Sequence, residues 1–106
     1  NNNKDLGHIL ENIIFLELKR KGYRVYIGKN DEMEVDFVVE AEDEYIYIQV
    51  ALSVREQTTL QRELKSLESI SNHYKKYIIT LDYDTNNYNG IKQISAIDFL
   101  LGRVEL

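Results

Sequence analysis

The stretch Glu34-Val35-Asp36-Phe37-Val38-Val39 is the most informative part of this 106-residue chain for its fold. Valine and phenylalanine fit a pleated surface, so the stretch predicts a strand over residues 34–41. Asp36 interrupts the pattern, because the carboxylate of an aspartate competes for the hydrogen bonds that a strand needs. Side-chain alternation predicts two faces for this strand, Val35, Phe37 and Val39 on one and Glu34 and Asp36 on the other.

The apolar residues that follow predict an antiparallel partner strand over residues 45–52. A two-residue turn at Glu42-Asp43 brings Asp36 directly opposite Gln49. Directly opposed residues lie on the same face, with Cβ atoms ~5 Å apart. A slip of one residue would move Asp36 to the apolar face of the partner strand, so the apolar pattern fixes the register.

Outside this hairpin, helical and strand patterns alternate along the chain. Helical spacing of apolar residues predicts helices over residues 6–21, 56–70 and 96–101. Short apolar runs predict further strands over residues 24–27, 77–81 and 91–94, separated by polar loops at residues 28–32 and 84–90, with a turn at Asn89-Gly90. The order is α-β-β-β-α-β-β-α, and a helix between two strands implies a crossover and a mixed sheet.

Two glutamates of the first helix lie at or within its apolar stripe. The stripe consists of Ile9, Leu10, Ile13, Ile14 and Leu18. Glu11 lies at its border and Glu17 near its centre, where a carboxylate is costly unless it is paired or bound to a ligand. Either glutamate is expected to point toward the sheet, and we interpret Glu17 as a partly buried structural carboxylate.

Composition limits the possible functions. The chain has 18 acidic and 13 basic residues, a net charge of −5 that disfavours nonspecific binding to nucleic acid. It has no cysteine for a disulfide or a thiolate zinc site, no apolar run long enough to span a membrane and no signal-peptide pattern, so a cytoplasmic location is expected. Its length predicts one domain over residues 1–106, and the start at Asn1 suggests a fragment of a longer protein.

The predicted order and several residues resemble the PD-(D/E)XK nuclease superfamily. That superfamily has a Glu in the first helix, an Asp in the second strand and Glu-x-Lys in the third. Glu11 matches the helical Glu, Asp36 matches the metal-binding Asp, and Gln49-Val50-Ala51 occupies the place of Glu-x-Lys. The resemblance implies an α/β, restriction-endonuclease-like mixed sheet flanked by helices, with Glu11 and Asp36 as candidate ligands of Mg²⁺ or Mn²⁺.

A closer resemblance rests on four motifs in order: Gly7-x-x-Leu10-Glu11-Asn12, Glu17-Leu18, residues 34–38, and Ile48-Gln49-Val50. The later stretch Thr59-Leu60-x-Arg62-Glu63-Leu64 fits it too. Together they resemble a C-terminal domain of uncharacterised function that follows an AAA-type ATPase domain in many bacterial and archaeal proteins. The resemblance implies that the full-length protein binds ATP and that the partner of this domain is its own ATPase domain or another protein. No phosphate-binding G-x-x-x-x-G-K-[ST] motif occurs in these residues.

Two departures from the nuclease motif determine the functional interpretation. Gln49 brings no negative charge for a metal, and Ala51 has no donor where the motif has Lys; the nearest basic substitutes are Arg55 and Arg62. Losing both groups costs several orders of magnitude in rate. We therefore expect a non-catalytic accessory or interaction domain with a degenerate site and no assigned cofactor. The alternative is a Mg²⁺- or Mn²⁺-dependent nuclease acting on DNA or RNA through Glu11, Asp36, Gln49 and a main-chain carbonyl near Val50. A third possibility is a regulatory module that binds metal or nucleotide without turnover.

Overall fold

The computed structural model describes residues 2–29 and 34–106. Its helices are α1 (Asn2–Arg20), α2 (Gln57–Glu68) and α3 (Ala96–Leu100). Its strands are β1 (Arg24–Lys29), β2 (Glu34–Ala41), β3 (Glu44–Ala51), β4 (Lys75–Thr80), β5 (Asn86–Tyr88) and β6 (Ile91–Ser95). Among the residues so described, no helix is both long enough and apolar enough to span a bilayer.

The six strands form one mixed sheet in the order β1-β2-β3-β4-β6-β5. The pairs β1–β2, β2–β3 and β5–β6 are antiparallel, whereas β3–β4 and β4–β6 are parallel. Helix α2 is the crossover between β3 and β4, so the predicted mixed sheet is confirmed. Because β3, β4 and β6 run in the same direction, their carboxyl ends lie at one edge of the sheet, where the candidate site is found.

Helices cover both faces of the sheet. One core contains buried residues of α1 and α3, and the other contains buried residues of α2. Strand β4 lies between the two cores, with Tyr77 and Ile79 in the first and Ile78 in the second. This confirms the prediction that the strand is buried on both faces, although the predicted last residue, Leu81, is exposed and lies beyond the strand.

Helix α1 buries a narrower stripe than the sequence predicts. Leu10, Ile14 and Leu18 are buried at i, i+4 and i+8, whereas Ile9 and Ile13 are exposed. The prediction for these two isoleucines was wrong, because α1 has two adjacent apolar stripes and rests on the sheet along only one of them. The helix also starts at Asn2, four residues before the predicted start.

Strand β5 falls inside the predicted loop over residues 84–90. Asn89 and Gly90 have φ angles of 53° and 98°, and positive φ angles are what the two central residues of a type I′ hairpin require. The turn was predicted correctly, but the strand before it was missed because asparagine has a low strand propensity that pairing with β6 overrides. At the other predicted loop, Gly28 and Lys29 belong to β1, and residues 30–32 lie outside the described part of the chain.

Candidate functional site

A β-bulge places Asp36 at the centre of the candidate site. In the β1–β2 ladder Ile27 pairs with Phe37 and Gly28 pairs with Val35, so Asp36 is an extra residue between them. A bulge of this kind reverses the alternation of side chains beyond it. Val35 consequently packs in the core beneath α2, not with Phe37 and Val39, and the predicted face for Val35 was wrong.

Gly28 makes room for this bulge. A Cβ atom at position 28 would overlap Val35 Cγ1 and would lie 2.7 Å from the carbonyl oxygen of Val35. Real Cβ atoms do not approach main-chain oxygens so closely, so a side chain here would push the strands apart. The glycine and the bulge therefore form one local arrangement.

Two side chain–main chain hydrogen bonds join β2 to β3 at the bulge. The regular ladder between these strands extends to the pair Phe37–Ile48, in the predicted register. Beyond it, the Asp36 N–H donates to Gln49 Oε1 over 2.7 Å, and the Val50 N–H donates to Asp36 Oδ2 over 2.8 Å. The predicted contact between Asp36 and Gln49 is confirmed, and both side chains bond main-chain groups of the opposite strand.

Glu63 of α2 completes this network and was missed in the sequence. Gln49 Nε2 donates to Glu63 Oε2 over 3.2 Å, and the two residues are only 6% and 9% exposed. The amide of Gln49 is suited to this position, because its oxygen faces an N–H donor and its NH₂ group faces a carboxylate. The signal was present: Glu63 lies at i+3 from Leu60 and i+4 before Leu67, within the apolar stripe of α2.

An open cleft of about 790 Å³ lies beside the network, between the first turns of α1, the carboxyl end of β3 and the start of α2. Glu11 and Ala51 line it, and Asp36 is joined to it through the main chain of Val50. The lining contains as many basic as acidic residues. Its basic side chains are Lys4, Arg55 and Arg62, and its acidic ones are Glu11, Glu56 and Glu63. The cleft therefore lacks the excess of basic residues that a groove for a phosphate backbone uses.

The two arginines considered as substitutes for the motif Lys differ in their surroundings. Arg55 lies 2.9 Å from Asp84 and 3.4 Å from Asp82. The hydrogen bond to Asp84, with the charge of Asp82, raises the pKa of Arg55 above its ordinary value. Asp82 is buried and also accepts from the Val54 N–H, so Arg55 is held in a structural cluster. Arg62, by contrast, is exposed, and its Nε lies 4.0 Å from Glu63 Oε1.

Glu17 lies near the end of α1, away from the cleft lining. Its carboxylate accepts two hydrogen bonds from Arg20, at 2.8 and 2.7 Å, and lies 4.0 Å from Lys21. The hydrogen bond from Arg20 is the main reason why the pKa of Glu17 is lowered. The contacts agree with the interpretation of Glu17 as a structural carboxylate that is satisfied within its own helix.

The bonds around Asp36 bear on whether these residues suit Mg²⁺ or Mn²⁺. Hard cations of this type prefer carboxylate oxygens as protein ligands. Here one oxygen of Asp36 accepts from a main-chain N–H, and the carbonyl oxygen of Gln49 accepts from another. Across residues 2–29 and 34–106, no three or more Asp, Glu, His or Cys side chains are grouped to hold a metal. These hydrogen bonds engage one oxygen of Asp36 and the carbonyl oxygen of Gln49, and the assignment of Glu11 and Asp36 to a metal stays a prediction.

Comparison with known proteins finds one family and two relatives. Residues 6–100 match the model of a domain of unknown function, DUF4143. An uncharacterized protein of Haemophilus influenzae is 43% identical over 93 residues, which is 87% of this chain and 22% of that protein. The uncharacterized protein MJ1544 of Methanocaldococcus jannaschii is 34% identical over 99 residues, 90% of this chain and 22% of that protein. The chain thus spans about a fifth of the length of these relatives, and no solved structure matches it.

Proposed function

The chain belongs to the DUF4143 family, and we propose that it is a non-catalytic interaction domain of a longer AAA-type ATPase. In this proposal the domain has a restriction-endonuclease-like fold of the PD-(D/E)XK type whose motif positions have taken structural roles. The domain contacts the ATPase domain of its own chain or another protein in the cytoplasm. The alternative is a Mg²⁺- or Mn²⁺-dependent nuclease that uses Glu11 and Asp36.

One observation carries the non-catalytic assignment: the polar groups at the motif positions are bonded to one another and to the main chain. Asp36 accepts from the Val50 N–H, Gln49 accepts from the Asp36 N–H, and Gln49 donates to Glu63. A nuclease needs these oxygens directed at a cation and needs a basic group to orient the attacking water. Ala51 lines the cleft at the position of that basic group and has no donor to offer.

Two further observations support a role in protein contact. Several large apolar side chains on the outer sides of α1 and α3 are about half exposed, and clusters of this kind mark interaction surfaces. The matched segment covers only 22% of each relative, so most of each of those proteins lies outside it. This length leaves room for an ATPase domain in the relatives.

The test is a titration of the domain with Mn²⁺, followed by the broadening of amide NMR lines. We expect no localised broadening at millimolar Mn²⁺ around Glu11, Asp36 and Val50, in the wild type or in Asp36→Ala. The proposal would be contradicted by selective broadening of these lines in the wild type that is lost in Asp36→Ala. The lines near Arg20, at the far end of α1, should then stay sharp in both proteins. Cleavage of DNA or RNA by the wild type, abolished by Glu11→Gln, would establish the nuclease instead.

Restoring the motif gives a second test of the same assignment. Gln49→Glu places a second carboxylate at hydrogen-bond distance from Glu63 in a buried site, where like charges repel. If the position is structural, Gln49→Glu with Ala51→Lys lowers stability by about 2–4 kcal/mol at pH 7 and gains no nuclease activity. The matched control is Ala51→Lys alone, which leaves the amide in place. Metal-dependent cleavage by the double variant would show that the cleft can still support the reaction.

A further inference from the structure

Helices α1 and α3 pack against the same core on one face of the sheet, and each helix has half-exposed apolar side chains on its outer side. Both helices contribute buried residues to one core, and the Lys21 ammonium, just after α1, lies 5.3 Å from the ring centre of Phe99 of α3. Six large apolar residues on or directly after these helices are 41–60% exposed. They are Leu6, Ile9, Ile13, Leu16, Ile97 and Leu101, here called the α1–α3 surface.

The four residues on α1 have the spacing of a helix-packing seam. Leu6, Ile9, Ile13 and Leu16 are separated by three, four and three positions. Apolar residues with this spacing recur about every 3.5 positions and line one side of a helix, as they do where two helices pack against each other. Together with Ile97 and Leu101, these side chains expose roughly 500 Å², an amount comparable to the apolar patches that serve as interaction sites.

We infer that a second copy of this chain packs on the α1–α3 surface, with the two α1 helices antiparallel across a two-fold axis near position 11. The seam is symmetric about that position, since Leu6 and Leu16 lie five residues to either side of it and Ile9 and Ile13 lie two. The axis sets Leu6 against Leu16 of the second copy and Ile9 against Ile13 of the second copy. Each copy presents the same residues to the other, as a two-fold interface requires.

The charges at the two ends of α1 favour the antiparallel arrangement. Asp5 lies in the first turn and Arg20 in the last. Antiparallel helices bring Asp5 of one copy within a turn of Arg20 of the other, whose guanidinium also bonds Glu17 of its own helix, and the macrodipoles oppose. Parallel helices would set Arg20 beside Arg20, which is repulsive.

The size of the surface sets the strength of the association. Two copies bury roughly 1,000 Å² in total, at the lower limit for a specific interface. We therefore expect a reversible dimer with a dissociation constant on the order of 0.1 mM. The dimer rests on the proposed function in one respect, that this surface serves protein contact, and it is independent of whether the cleft binds metal.

Sedimentation equilibrium of the chain between about 10 µM and 1 mM tests the dimer. The wild type is expected to shift from monomer to dimer over this range, and Ile9→Glu is expected to raise the dissociation constant at least about tenfold. The matched control is Ile27→Glu on β1, where the side chain is similarly exposed but lies outside the α1–α3 surface. Circular dichroism establishes that each variant is folded.

Disulfide trapping tests the direction of the helices, because the chain has no native cysteine. A mixture of Leu6→Cys and Leu16→Cys chains is expected to cross-link with each other at least about fivefold more than either chain with itself, since the bond needs Cα atoms about 4.4–6.8 Å apart. The inference would be overturned by a wild type that stays monomeric at about 1 mM, or by an unchanged dissociation constant for Ile9→Glu. It would also be overturned if the Leu6→Cys or Leu16→Cys chains cross-linked preferentially with themselves. None of these results would restore a metal site, so the proposed function is decided separately, by the Mn²⁺ titration and by the variant that restores the motif.

Discussion

Replacing Asp36 with alanine tests whether this carboxylate is a structural group. Val50 is 6% exposed, and its N–H donates to Asp36 Oδ2 over 2.8 Å. In Asp36→Ala this buried N–H loses its acceptor, which lowers the unfolding free energy by about 1–3 kcal/mol. The loss lies in the upper half of that range because the acceptor is charged. We expect a loss of about 2 kcal/mol and a fall in melting temperature of about 8–12 °C.

Urea unfolding followed by circular dichroism, with EDTA present to remove metal ions, measures the effect. Asp36→Asn is the matched control, because its amide oxygen can still accept from the Val50 N–H and only the charge is lost. We expect its loss to be about 1 kcal/mol, between wild type and Asp36→Ala. Groups held in place for catalysis commonly give added stability when they are removed. An Asp36→Ala variant as stable as the wild type, or more stable, would therefore refute the structural role.

Three further predictions concern other positions and use the same unfolding assay. Gly28→Ala forces a Cβ against Val35 and should lower the unfolding free energy by about 1–3 kcal/mol; no change would mean that the bulge adapts freely. Glu42 has a φ angle of 59°, so Glu42→Gly should raise stability by about 1 kcal/mol, and a loss would contradict the turn geometry. Arg20 lowers the pKa of Glu17 in the folded state, so the Glu17–Arg20 ion pair stabilises the fold at neutral pH. This stabilisation is lost as the pH falls through the lowered pKa of Glu17. Glu17→Gln should therefore be less stable than wild type at neutral pH and equal to it in strong acid, at about pH 2, and a difference that persists in acid would exclude the ion pair as its cause.

Much of the fold follows from local sequence patterns. The period of two in residues 34–41 and 45–52, with two residues between Ala41 and Glu44, was enough to predict the hairpin and its register. The apolar run in β4 predicted burial on both faces, and the helix before it predicted the parallel crossover. These features depend on residues close in sequence, so no knowledge of distant contacts is needed.

The candidate site was only partly predictable. The pairing of Asp36 with Gln49 followed from the register, but Glu63 was missed although its place in the apolar stripe of α2 marked it. The exposure of Ile9 and Ile13 could not be predicted, because the helix offers two apolar sides and its position on the sheet selects one.

Local patterns thus specify the order of the elements, the mixed sheet and the register of the central hairpin, because side-chain periodicity and turn length act over short stretches of chain. The bulge at Asp36 follows from the packing of the whole sheet, since it depends on how β1 and β3 meet β2 from opposite sides. Packing also joins Asp36, Gln49 and Glu63 in one hydrogen-bonded network, since these groups come from three elements. That arrangement exists only after the strands and α2 have come together, and it bonds these side chains to the main chain and to one another.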